Sequence, residues 1–183
     1  SGARRKESLD EHTAGNPWLQ PFYAPHTFEV DFVASGNAGK VNASVNDVYS
    51  DPAVRTRSIA ELSSGDPALF GKRVLTMANN VGKGWFAILL GKQVDERTII
   101  PEYIRRAIIF AHGAFSTELM FNILKHRVMV NNTDPAVVPP ALQQFWERLL
   151  QYRDGQIDFG IIKAEAPLGL PGDQILEFLG DLP

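Results

Sequence analysis

Thr27-Phe28-Glu29-Val30-Asp31-Phe32-Val33 is the stretch on which the fold turns. Its apolar residues at 28, 30 and 32 alternate with polar ones, as in a half-buried strand. The same residues fit a helix, with Thr27 as its cap, Phe28 and Phe32 on one face, and Gly36 ending it. Periodicity leaves both open, and the choice has chemical consequences. In a strand, positions i and i+2 point the same way, so Glu29 and Asp31 would face one hard cation together. In a helix they diverge and only one can serve. In either case an acidic face turned to water is the ordinary alternative.

Upstream, Trp18 to Tyr23 is aromatic-rich and bounded by Pro17, Pro21 and Pro25, which suits a short extended segment. Residues 1–16 are polar without an apolar period and read as a tail or a severed loop. Downstream the signals turn helical. The spacing predicts helices near 38–49, 52–63 and 67–79, and Asp51-Pro52 and Asp66-Pro67 each set a capping carboxylate before a proline at the first helical position. Lys83 to Val94 forms an apolar helix. Pro101 opens another, with Tyr103, Ile104, Ala107, Ile108 and Ala111 on one face. Phe115 to Val130 continues the pattern, and the polar, proline-bearing connection over 131–140 is a candidate boundary. A helix over 141–152, a strand-like run over 157–163, a turn-rich 167–172 and a short helix over 174–179 complete the chain. The expected fold is α/β and predominantly helical.

With 183 residues, 44% hydrophobic and 21% charged, the chain has the balance of a globular protein. Eighteen Lys plus Arg against twenty-one Asp plus Glu give a net charge of −3, so any contact with nucleic acid must use a local patch. The absence of cysteine excludes disulfides, thiolate zinc sites, iron–sulfur clusters and cysteine nucleophiles. The longest apolar run, Trp85 to Leu90, is far short of the roughly twenty residues of a membrane span. No signal-peptide core follows Arg4, Arg5 and Lys6, and a cytoplasmic location is expected.

Gly82-Lys83-Gly84-Trp85-Phe86-Ala87 imitates a dinucleotide fingerprint, but the bulky Trp and Phe would crowd a pyrophosphate, and Asp95 and Glu96 come too early for the ribose. It is not a Walker A loop, and neither is Gly36-Asn37-Ala38-Gly39-Lys40-Val41. Lys83 is nevertheless placed at a helix start, where the macrodipole disfavours a cation by about 0.3–1 kcal/mol. Between Gly82 and Gly84 it can join exposed backbone N–H groups in holding a phosphate oxygen, or it is a solvated lysine in a glycine-rich turn. His12, His26, His112 and His126 lack metal-binding spacing. Ser116-Thr117 before Glu118 reads as a helix cap. Trp85, Phe86, Phe110, Phe115 and Phe121 read most economically as core residues.

The strings TFEVDF with the following Gly36-Asn37, then GKGWFAILL, then IPEYIRRAI resemble, in that order and spacing, part of a known region. It is the C-terminal part of the Toprim nuclease region of OLD-family (overcoming lysogenisation defect) ATP-dependent endonucleases. The resemblance covers roughly residues 20–112. It implies a partial Toprim-like sheet remnant over 17–112 with a helical insertion at about 38–80; residues 113–183 lie past the resemblance and read from their own spacing as a helical extension. It also implies cleavage of DNA with Mg²⁺ or Mn²⁺. Glu29 would lie in the acidic metal cluster, with Asp31 in the same string, and Lys83 close to the scissile phosphate between Gly82 and Gly84.

A Toprim site also needs an upstream glutamate and an Asp-x-Asp pair, and this chain contains no Asp-x-Asp. The first sixteen residues cannot hold the missing strands. With no Walker A motif, ATP would act only through an ATPase head in cis or trans. The expectation is part of a metal-dependent DNA endonuclease, incomplete until joined to its other Toprim half. The alternative is a non-catalytic helical interaction or regulatory module of a larger assembly. Orphaned strands would leave unpaired edges, so self-association is expected as well.

Overall fold

Every element in the described residues, 2–132 and 140–182 of a computed structural model, is helical. No strand occurs among them, which corrects the expected Toprim-like sheet remnant. The chain divides into two compact units, 1–107 and 108–183. No helix among the described residues is long and apolar enough to cross a membrane.

The first unit begins with α1 (Gly2–Thr13), where a tail or loop was expected. It has no apolar stripe because charge and one aromatic hold it instead. Lys6 and Asp10 pair at 2.8 Å one turn apart, the Tyr23 hydroxyl donates to Asp10 at 2.7 Å, and the Lys6 ammonium lies over the Tyr23 ring. The stretch 27–33 becomes the short helix α2 (Phe28–Phe32), with the Phe28 and Phe32 rings 5.6 Å apart, followed by a π-helical turn over Val33–Asn37.

The helices α3 (Ala38–Ala43), α4 (Val45–Val48), α5 (Pro52–Leu62), α6 (Pro67–Val81) and α7 (Lys83–Gly91) follow the sequence reading closely. Both expected caps form: Asp51 accepts from the Ala53 N–H at 2.7 Å and Asp66 from the Ala68 N–H at 2.9 Å, each worth about 1 kcal/mol. Val30, Phe32, Val41, Val45, Val74 and Met77 form the centre of the first core. A Cβ on Gly71 of α6 would just touch Val30, so α2 lies directly on α6.

The division between units falls inside α8 (Glu102–His112), where Ile109 is buried and Ile108, expected on the apolar face, is exposed. In the second unit α9 (Thr117–Asn131) is capped by Ser116, as expected. The 133–139 part of the expected 131–140 connection lies outside the described residues. α10 (Pro140–Arg153), α11 (Phe159–Gly169) and α12 (Ile175–Asp181) complete this unit. α11 runs through the expected strand. Asp158 caps it through the Ile161 N–H, and Ile162, Ala166 and Gly169 recur at helical spacing and are buried. A Cβ on Gly169 would collide with the Phe145 ring, so only glycine lets α11 approach α10 this closely.

One buried ion pair ties α9 to the start of α12. Arg127 grips both oxygens of Asp173, whose side chain is 2% exposed, and Asn131 donates to the same carboxylate. Asp173 also accepts from the Ile175 N–H at 2.8 Å. Burial pushes its carboxyl up, but Arg127, the Ile175 N–H and Asn131 outweigh burial and hold it below the usual carboxylate range. Its stabilising contribution is therefore complete above the unfolded value of about 3.9 and is lost as pH falls through the lower folded value. Asp173→Ala should cost about 3–5 kcal/mol at neutral pH, because it removes the carboxylate that offsets the buried Arg127 charge. In denaturant melts the gap to the native chain should narrow below about pH 4; a gap independent of pH would contradict this account.

Candidate functional site

Two conformational devices bring distant residues of the first unit together. The first is the π-helical turn. Gly36 adopts φ 103°, and a Cβ there would press on the Ile99 side chain at 3.0 Å. The next residue, Asn37, is buried and spends its whole amide on backbone. Its Nδ2 donates to the Phe32 carbonyl at 2.9 Å and to the Ile99 carbonyl at 2.7 Å, and its Oδ1 accepts from the Ile99 N–H at 2.9 Å. This fastens the segment before Pro101 against α2 and delivers the first turn of α8 to the same place.

The second device is Gly82, with φ 84° and ψ 137°, which turns α6 into α7 without a side-chain cap. Because α2 rests on α6, the start of α7 reaches Glu29. The Lys83 Nζ lies 3.8 Å from the Glu29 Oε1, with the lysine side chain 63% exposed and the glutamate 13%. The structure thus unites the expected Lys83 and Glu29, and it leaves open space where Cβ atoms on Gly82 and Gly84 would stand.

Asp31 is placed differently. In a helix, side chains two residues apart leave at about 200° to each other, so the paired presentation that a strand would give does not arise. Asp31 is buried and accepts from the His26 N–H at 3.2 Å, with the His26 Nδ1 3.1 Å from its other oxygen. It lines a cleft of about 450 Å³ together with Ser35, Tyr23, Tyr103 and Arg106. Tyr103 is half-buried. Burial first, then the fields of Asp31 and Glu29, push its phenol above the ordinary tyrosine value. One phenol therefore senses both carboxylates.

These residues do not by themselves fit a divalent cation. Such an ion takes six or more oxygens for Ca²⁺ and near-octahedral ones for Mg²⁺. Here Glu29 faces an ammonium and Asp31 is engaged by His26. No group of three or more His, Asp or Glu able to hold a metal occurs among the described residues.

Sequence reasoning missed Tyr103, because an aromatic at helical spacing reads as core. Trp85 and Phe110, also expected in the core, are exposed, whereas Phe86 is buried as expected. Compared with family models, curated proteins and solved structures, the chain matches none.

Asn37→Ala should destabilise the first unit by about 2–4 kcal/mol, since it leaves buried backbone groups of Phe32 and Ile99 unpaired. Hydrogen exchange should then rise first at the Ile99 amide. Unchanged protection there would show that the side chain does not hold the segment.

Proposed function

We propose that this chain is part of a divalent-metal-dependent DNA endonuclease that hydrolyses phosphodiester bonds, the reading implied by its resemblance to the OLD-family Toprim region. The observation that carries it is the meeting of Lys83 and Glu29 across a long stretch of sequence. At 3.8 Å the ion pair is at the outer edge of contact, and the ammonium is mostly in water. Glu29 therefore keeps Lys83 aimed without locking it. A phosphate oxygen can take the open side of the same ammonium, with Gly82 and Gly84 leaving its approach clear. A fixed cation at that point stabilises the negative charge that builds on the phosphodiester in the transition state.

Mg²⁺ or Mn²⁺ enters this reading only with carboxylates from another segment, the missing Glu and Asp-x-Asp of the other Toprim half. When bound it would supply a hydroxide nucleophile and offset charge on the phosphate. Of the two carboxylates of α2, Glu29 is the one that faces a lysine ammonium, whereas Asp31 is engaged by the backbone N–H and ring of His26. ATP would act through an ATPase head in cis or trans. A helical interaction module is the second reading, favoured by the exposed Met129 and Leu168 of the second unit.

Joined to a segment carrying the missing carboxylates, the chain should nick plasmid DNA in the presence of Mg²⁺ or Mn²⁺. Lys83→Ala and Glu29→Gln should each slow nicking by about 100-fold or more, the scale of losing one fixed transition-state donor. Undiminished nicking in both variants would remove the pair from the chemistry. A stable co-purifying protein, with no cleavage in any such reconstitution, would select the interaction module.

A further inference from the structure

The outer face of α7 carries side chains that neither the core nor the Lys83–Glu29 pair uses. Phe86, Leu89 and Leu90 point into the first unit and are buried. On the other side Trp85 is 54% exposed and Ile88 53%. At 100° per residue, Trp85, Ile88 and Lys92 lie within about 60° of one another, and Lys83 bounds the opposite flank of the exposed surface. Between the flanks stand Gly84, Ala87 and Gly91, all exposed and small, with nothing within 4 Å of a Cβ at either glycine. The result is a flat strip of backbone with a lysine on one border and an indole, an isoleucine and a second lysine on the other.

Charge says what such a strip suits. The chain carries a net charge of −3, yet Pro67 to Lys92, the whole of α6 and α7, holds Lys72, Arg73, Lys83 and Lys92 and no Asp or Glu. Arg73 is taken by Glu61 at 2.6 Å, whereas Lys72, Lys83 and Lys92 are exposed. The carboxylate paired with Lys83 is Glu29, which is largely buried beneath it, and Asp95, just past Lys92, is taken by Lys40 at 2.6 Å. An apolar protein partner would gain nothing from lysines on both borders. A polyanion bearing flat apolar rings satisfies both features, since bases stack on an exposed aromatic while lysines follow the phosphates. Bases locked inside a duplex offer no face to Trp85, so the surface discriminates in favour of unpaired ones.

We propose that the outer face of α7 binds single-stranded nucleic acid, with an unpaired base stacked on Trp85 and the phosphate chain running between Lys83 and Lys92. This rests on the nuclease reading for its biological sense and names the substrate of that site as DNA with unpaired bases next to the scissile phosphate. Its test needs neither metal nor the missing segment.

The intact chain is titrated against a labelled oligothymidylate of about sixteen nucleotides and against a duplex of equal length. The single strand should bind more tightly, with affinity falling steeply as salt rises. Trp85→Ala should weaken single-strand binding by about tenfold or more, and Trp85→Phe should keep most of it. Lys92→Ala should weaken binding and reduce the salt dependence, a change that loss of stacking does not produce. Trp85 is exposed, so the thermal melt of each variant should match the native chain. Equal affinity in Trp85→Ala and the native chain, equal affinity for single strand and duplex, or no binding of either, would overturn the proposal. Trp85-dependent binding without cleavage in the joined enzyme would uphold it and defeat the nuclease reading. Lys83-dependent cleavage that ignores Trp85 and treats duplex and single strand alike would do the reverse.

Discussion

Asn37 is one side chain doing the work of a strand pairing. Its amide gives two donors' worth of bonding and one acceptor to backbone groups of Phe32 and Ile99, so that a buried polar group carries no unmet demand. Gly36 before it allows the chain to pass close to the Ile99 side chain. Together with Lys40 on Asp95 at 2.6 Å, that contact brings the return segment from α7 back to α2, and Tyr103 and Asp31 line one cleft. The net gain from such bonds is about 1 kcal/mol each, while the cost of stranding their partners is larger. The constraint is therefore stronger against loss than its contribution to stability suggests.

How much of this the sequence disclosed depends on where each element gets its stability. α5, α6 and α9 were legible because their caps and apolar spacing are local, written in Asp51-Pro52, Asp66-Pro67 and Ser116. α2 was not, since FEVDF satisfies a period of two and a spacing of four equally well. Tertiary context decides it: no second strand is present among the described residues to pair its backbone, whereas a helix pairs its own and still buries Val30 on Gly71. α11 hid for a related reason, because the Ile157–Lys163 run reads as β-branched and apolar until Ala166 and Gly169 are counted with Ile162. α1 escaped because charge and one phenol anchor it, through Lys6, Asp10 and Tyr23, and they leave no apolar period to read.

The candidate site divides along the same line. Glu29 and Lys83 were reached through a resemblance, and their contact could not have been derived from spacing, since it depends on α2 lying on α6 and on the turn at Gly82. Lys83 stands at a helix start, where the macrodipole works against a cation. Glu29 offsets that penalty across an ion pair loose enough to leave the ammonium accessible. Periodicity set Trp85 in the core and Tyr103 on the apolar face of its helix; it reports where an aromatic recurs and not which face the fold turns outward. Their true positions, one beside two carboxylates and one in water, are tertiary facts.

The all-helical architecture also changes what the chain needs from other chains. Orphaned strands would expose unpaired N–H and C=O rows and call for a covering partner, which was the reason to expect self-association. Among the described residues there is no such row, because each helix closes its own hydrogen bonds. The premise for self-association through a sheet edge is therefore gone. What the nuclease reading still lacks is chemical: oxygen ligands, which Glu29 and Asp31 cannot supply together because α2 turns them apart. A segment completing the site must then bring its own carboxylates to the Lys83 side of Glu29. The open ground at Gly82 and Gly84 is where such a segment and a phosphate would meet the ammonium.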